Sequence, residues 1–222
     1  MDLNGLTGLL RDALPLMLKG AAWTLLLALA SVFFGAIVGT LVAVTRLARV
    51  PVLSQLAALY VSCMRGTPLL VQLFVIYFGL PSIGIQFDPL TAGILGLSLN
   101  VGAYLSETIR GAINGVEHGQ WNAARSLGLT QSQTLRYVVG PQALRLAVPS
   151  LSNSLISLIK DTSLVSVIAV GELMLATKEV IATTFQPFPL YLAAAAIYWA
   201  MSAFFETLQR KLETRLNRSY LR

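Results

Sequence analysis

Between Lys19 and Arg46 the chain carries no charged residue. A bilayer span takes about 20 consecutive apolar residues, so this one run commits the protein to a membrane. The rest of the sequence follows. Arg49 to Asp88 is a second long segment whose one internal charge is Arg65, followed directly by Gly66-Thr67-Pro68. "PLTAGILGLSLNVGAYLS" (89–106) is a third, ending at Glu107. A fourth apolar stretch holds the adjacent charges Lys160 and Asp161, and a fifth starts near Leu190. The pattern predicts an all-α integral membrane protein with five transmembrane helices, at about 20–45, 51–80, 89–110, 146–171 and 189–209, in a single domain over 1–222. "ELMLATKEVIATTFQPFP" (172–189), with Pro187 and Pro189, reads as a loop or re-entrant segment.

Composition agrees. Charged residues are 12% of the chain, half the roughly 25% of soluble domains. The opening "MDLNGLTGLLRDALP" lacks the basic start, apolar core and cleavage site of a signal peptide. The single cysteine, Cys63, excludes an internal disulfide.

The net charge of +6 fits basic cytoplasmic loops better than nucleic acid. One set of alternate flanks holds Arg46, Arg49, Arg110, Arg125, Arg136, Arg145, Arg210, Lys211, Arg215, Arg218 and Arg222; the other holds Arg11, Lys19 and Lys178. Eleven cations against three place the N-terminus outside, the C-terminus inside and residues 111–145 in the cytoplasm.

That cytoplasmic stretch is too polar to span and too patterned for a random loop. Trp121, Ala124 and Leu127 or Gly128 recur at helical spacing and predict a short amphipathic helix that Gly128 stops. Thr130 and Gln133 predict a capping box for a second helix through Val139, ended by Pro141. Such a hairpin either docks a partner, with Ala123 and Ala124 as a small-residue surface, or packs under its own bundle.

"GQWNAARSLGL" followed by "VVGPQALRLAVPSL" resembles the EAA loop of permease subunits in ATP-binding-cassette importers. "RGTPLLVQLF", "NVGAYLSETIRGAINGVEHGQ" and "LIKDTSLVSVIAVGELM" are similar, in the same order, to stretches shared by polar amino-acid importers. The resemblance covers roughly residues 20 to 210. It implies a type I importer permease fold, a coupling helix, and ATPase docking through Gly119, Gln120, Asn122, Ala123, Ala124 and Gly128. Asn122 stands where the family usually has the glutamate of its motif. The implied partners are two ATPase subunits carrying ATP-Mg, a second permease as homodimer or heterodimer, an extracytoplasmic binding protein and an amino-acid substrate in the cell membrane. This chain has no G-x-x-x-x-G-K-[ST] phosphate loop, so no cofactor is expected on it. It shows no nucleophile–base set either, and it does not read as an enzyme.

Charges within spans mark function or snorkel to an interface. Arg65 falls about 15 residues into the second segment, near the midplane at 1.5 Å per residue. Gly66-Thr67-Pro68 should interrupt the helix there. A new helix could start at Thr67 as N-cap, its positive end in the membrane as in broken-helix transporters; the alternative is a proline kink with a snorkelling arginine. Asn100, Tyr104 and Glu107 share one helix face, which either looks inward or brings Glu107 beside Arg110. Asn153 could line the same cavity. Lys160 and Asp161 diverge by about 100° and do not face one another, so each needs its own partner or a wet cavity; the depth of Asp161 matches that of Arg65, and a pair between the two is one expectation. Arg65, Asn100 and Tyr104 are expected on the substrate path, with Glu107 and Asp161 as contacts for a substrate amino group and Thr67-Pro68 for its carboxylate. The lone His118 reads as a solvated or docking residue, and no metal site is expected. The rival functions are an ion-coupled secondary carrier or channel, with Glu107 and Asp161 relaying protons, and a membrane scaffold.

Overall fold

A computed structural model describes residues 3–48 and 50–218. Arg49 and Arg222, counted above among the cytoplasmic cations, lie outside the described residues. Every regular element among the described residues is helical.

Helix α1 (Leu3–Leu47) starts well before the expected residue 20 and runs through Pro15. At 45 residues it is about 67 Å long, far beyond the ~30 Å hydrocarbon core. Its first half buries Ala13, Met17 and Ala21 at helical spacing against Leu173, Leu190 and Ala194. That face, not a continuous apolar run, extends the helix.

Helix α2 (Pro51–Gly66) ends where Pro68, lacking an N–H, holds Thr67 extended (φ −120°, ψ 149°). Helix α3 (Leu69–Phe74) follows and continues through a π turn and a 3-10 turn to Ile83, bent 109° from α2. Segment 51–80 is therefore broken, as the glycine–proline signal predicts. Thr67 is not the N-cap, however. Its hydroxyl donates back to the Cys63 carbonyl at 2.8 Å, and Pro68 occupies the cap position. The threonine closes α2 instead of opening α3.

Helix α4 (Pro89–Asn114) is capped by Asp88, whose carboxylate accepts from the Thr91 N–H at 3.1 Å. Hydrogen bonding from Thr91 holds the Asp88 pKa below the usual carboxylate range. The cap thus keeps its charge, and its contribution to helix start, until pH falls below that range.

The loop is two short helices, α5 (His118–Ser126) and α6 (Gln131–Thr134). Gly128 sits at φ +77° after α5, and the Thr130–Gln133 capping box forms in both directions. Pro141 does not end the second helix. A π turn over Leu135–Val139 carries the chain directly into α7 (Gly140–Asp161), with the proline in its first positions. A Cβ on Gly140 would lie 2.5 Å from the Leu135 carbonyl oxygen, so only glycine fits that turn.

The fourth segment is therefore helical from 140 to 161. It tightens into a 3-10 stretch over Thr162–Ile168 and stops at Ala169 in the left-handed region, short of residue 171. The region expected to be a loop contains helix α8 (Leu173–Thr184), N-capped by Glu172. Helix α9 (Pro187–Arg218) begins at the two prolines and outruns its expected end at 209. Among the described residues, α1 and α9 are long and apolar enough to cross a membrane, and the bent pair is a third candidate.

α1 packs most closely on α4. Gly35 and Gly39, one helical turn apart, meet Ser98, Val101, Gly102, Leu105 and Ser106. This is the small-residue seam by which membrane helices bring backbones together. It fixes α4, which carries the residues of the site.

Candidate functional site

The break between α2 and α3 leaves carbonyls at the end of α2 without helical partners. Side chains supply them. Gln72 donates to the Met64 and Thr67 carbonyls at 2.9 and 3.1 Å and to the Thr67 hydroxyl at 2.9 Å. Asn100, from α4, donates to the Met64 carbonyl at 3.1 Å and to the Gln72 amide oxygen at 3.0 Å. Both amides are buried, so the break is a hydrogen-bonded joint and not a loose kink. Gln72 is a lone amide in the apolar run "PLLVQLF", a pattern that marks a buried polar joint.

Beside this joint lies a half-open cavity of about 410 Å³, within the range of small-molecule sites. Thr67, Pro68 and Leu69 form one wall, Asn100 and Tyr104 a second, and Asn153, Ser154, Ser157 and Asp161 a third. The expected residues Thr67, Pro68, Asn100, Tyr104, Asn153 and Asp161 thus come together from three separate helices. Lys160 is exposed and does not line the cavity. The adjacent charges diverge as helix geometry requires.

Two other expected residues lie elsewhere. Glu107 sits one turn beyond Tyr104 in a cluster of three arginines. Arg110 grips it with two hydrogen bonds, 2.7 and 3.2 Å. Arg46, at the end of α1, bonds to the same carboxylate. Arg65 approaches to 3.9 Å and lies over the Tyr104 ring at 5.3 Å. The expected Arg65–Asp161 pair does not form. Arg65 directs its guanidinium toward Glu107, and Asp161 makes no ion pair among the described residues. Asn100, Tyr104 and Glu107 do share a face, turned toward Met64 and Arg65.

On the loop, Trp121 packs with Ala112, Val116, Val139 and Ala143. Ala124 is 2% exposed and turned the same way, so it supports the hairpin and offers a partner no surface. Leu127 leaves that face and is 81% exposed. Gly119, Gln120, Asn122, Ala123 and Gly128 are all exposed. Gln142 reaches from α7 to Gln120 at 3.1 Å, coupling the hairpin to the helix that bears Asp161.

Glu172 was not foreseen. It is fully buried, accepts from Thr24 and Tyr198 at 3.2 and 2.6 Å and from the Leu175 N–H at 3.0 Å, and ties α1, α8 and α9 together.

A helical membrane chain with a polar cavity at a broken helix and an exposed helical loop is the build of a solute permease subunit. Residues 35–218 match the family described as binding-protein-dependent transport system inner membrane component, and the chain belongs to that family. It is 42% identical over 207 residues to the probable amino-acid permease YckA of Bacillus subtilis, covering 93% of this chain and 92% of that one. It is 36% identical to the glutamine transport system permease GlnP of Escherichia coli, covering 92% and 94%. A crystal structure of an amino acid ABC transporter with histidines superposes with a TM-score of 0.91 at 35% identity, over 97% of this chain and 99% of that one. The inward-facing MetNI methionine transporter shares the fold alone, with a TM-score of 0.78 at 19% identity over 91% and 97%.

Proposed function

We propose that this chain is the permease subunit of an ATP-driven importer that passes a polar or charged amino acid across the cell membrane. The carrying observation is the cavity at the α2–α3 joint, with Asp161 on its wall. In this reading Asp161 receives the substrate ammonium group. The start of α3 at Thr67-Pro68 faces the carboxylate, with Asn100, Tyr104 and Asn153 as polar walls. The names of the relatives support an amino acid as cargo. Five spans are α1, the α2–α3 pair, α4, α7 and α9, with the N-terminus outside and the loop 111–145 in the cytoplasm. The distribution of cations supports that orientation.

Two ATPase subunits with ATP-Mg seat on α5, and an extracytoplasmic binding protein delivers the substrate. A second permease closes the open side of the cavity, where Asn153 and Ser157 are exposed. Exposed polar groups on a membrane helix call for such a cover, because hydrocarbon offers them no hydrogen bonds.

Reconstitution into vesicles with candidate ATPase and binding-protein partners is the test. Uptake is expected to require ATP. Uptake that persists without ATP and follows a proton gradient would establish the secondary-carrier alternative instead.

The loop has its own prediction. A Cβ at Gly128 meets nothing within 4 Å, so Gly128→Trp projects outward from an exposed hairpin, straining only the local φ of +77°. Membrane insertion is expected to survive while substrate-stimulated ATPase activity is lost. Unchanged stimulation would take Gly128 out of the docking surface.

A further inference from the structure

The cavity has an acid on its wall and no base. A free amino acid brings both an ammonium group and a carboxylate, and a carboxylate in a low-dielectric site needs a cation. Arg65 places a guanidinium against one residue of that lining. It sits two residues before Thr67, and its guanidinium lies over Tyr104, whose side chain also lines the cavity. We infer that Arg65 is the mobile ligand of the substrate carboxylate, exchanging its long contact with Glu107 for it. The inference rests on the amino-acid import reading above.

The cluster around Glu107 supports the exchange. Three guanidinium groups surround one carboxylate. Arg46 and Arg110 already bond to both of its oxygens. Arg65 at 3.9 Å is too far for a hydrogen bond, so its hold on Glu107 is Coulombic alone. Its side chain is also the most exposed of the three, 43% against 22% and 35%. Of the three cations, Arg65 is the one Glu107 loses at least cost. Replacing a long contact with a bidentate bond to substrate is a gain, since paired guanidinium–carboxylate bonds are among the stronger ones. Charge is balanced throughout, because one carboxylate replaces another.

The backbone permits the swing. Arg65 is followed by Gly66, around which there is open space, and then by the extended Thr67. The cation–π contact holds the guanidinium against Tyr104, a residue of the cavity wall.

The test is displacement binding on the purified permease–ATPase complex without its binding protein. Radiolabelled L-glutamine, L-cystine or L-histidine is displaced by the same unlabelled amino acid and by its α-carboxamide. The wild-type complex is expected to prefer the acid by at least about tenfold, the size of a charge-assisted hydrogen bond. Arg65→Gln should remove that preference by weakening the acid alone. Equal weakening of acid and amide would mark Arg65 as structural and overturn the inference. If Arg65→Gln does not assemble, Arg65→Lys gives the reading, with an intermediate preference expected and an unchanged one overturning it. Glu107→Asp keeps a charge for Arg46 and Arg110 but draws it back from Arg65. It should tighten the acid severalfold and leave the amide unchanged; an equal shift in both would overturn the exchange with Glu107. Failure of the wild-type complex to bind any of the three amino acids would sink the import reading and this inference together.

Discussion

Asp161→Asn is expected to cut ATP-driven uptake at least tenfold while the complex assembles and inserts normally. Asparagine matches aspartate in volume and keeps one carbonyl oxygen, so the cavity wall loses charge and little else. Asp161 is part-buried, lines the cavity and makes no ion pair among the described residues. No structural partner is stranded by its neutralisation. What disappears is the charge-assisted bond to an entering ammonium group, about 1.5 to 3 kcal/mol, or roughly one to two decades in affinity. Lys160→Gln is the control. Its side chain points away from the cavity, and wild-type uptake is expected. Wild-type kinetics in Asp161→Asn, measured with membrane levels matched, would take this residue out of the substrate path.

The sequence exposed Asp161 because a charge in an apolar run has few reasons to exist, and helix geometry ruled out its neighbour as partner. The same logic gathered Asn100 and Tyr104, since residues four apart share a face whatever the helix packs against. The capping box at Thr130–Gln133 and the left-handed Gly128 were equally legible, being set by a few adjacent residues.

What the sequence could not supply is direction. Counting 15 residues into a straight helix put Arg65 at the midplane near Asp161. The 109° bend and the joint held by Gln72 and Asn100 instead turn it to Glu107. Which of two neighbouring alanines stays exposed was hidden for a similar reason. Ala123 and Ala124 are alike in sequence, and only tertiary packing buries Ala124 and leaves Ala123 exposed. Helix α8 was missed because its start is capped by Glu172, a carboxylate whose partners Thr24 and Tyr198 are 148 and 26 residues away.

Gly39→Leu should prevent accumulation of the folded chain, the largest stability effect expected here. A Cβ at position 39 would stand 2.8 Å from the Gly102 carbonyl oxygen, 3.0 Å from Leu105 Cβ and 3.1 Å from the Ser106 nitrogen. Two of those three atoms are backbone, so no rotamer change can yield, and α4 must move away from α1. Membrane helices have little hydrophobic drive toward each other, and close packing is what holds them. Opening this seam therefore removes the main attraction between the two helices. Gly39→Ala asks for a smaller shift and serves as the graded case. Because α4 carries Asn100, Tyr104 and Glu107, displacing it by a few tenths of an ångström loosens the joint and the cavity together. The alanine variant should assemble with a lowered Tm and a raised KM for uptake, whereas the leucine variant should be absent from the monodisperse peak in size-exclusion chromatography. A leucine variant that folds and transports like the wild type would show that α1 and α4 are not held at this seam.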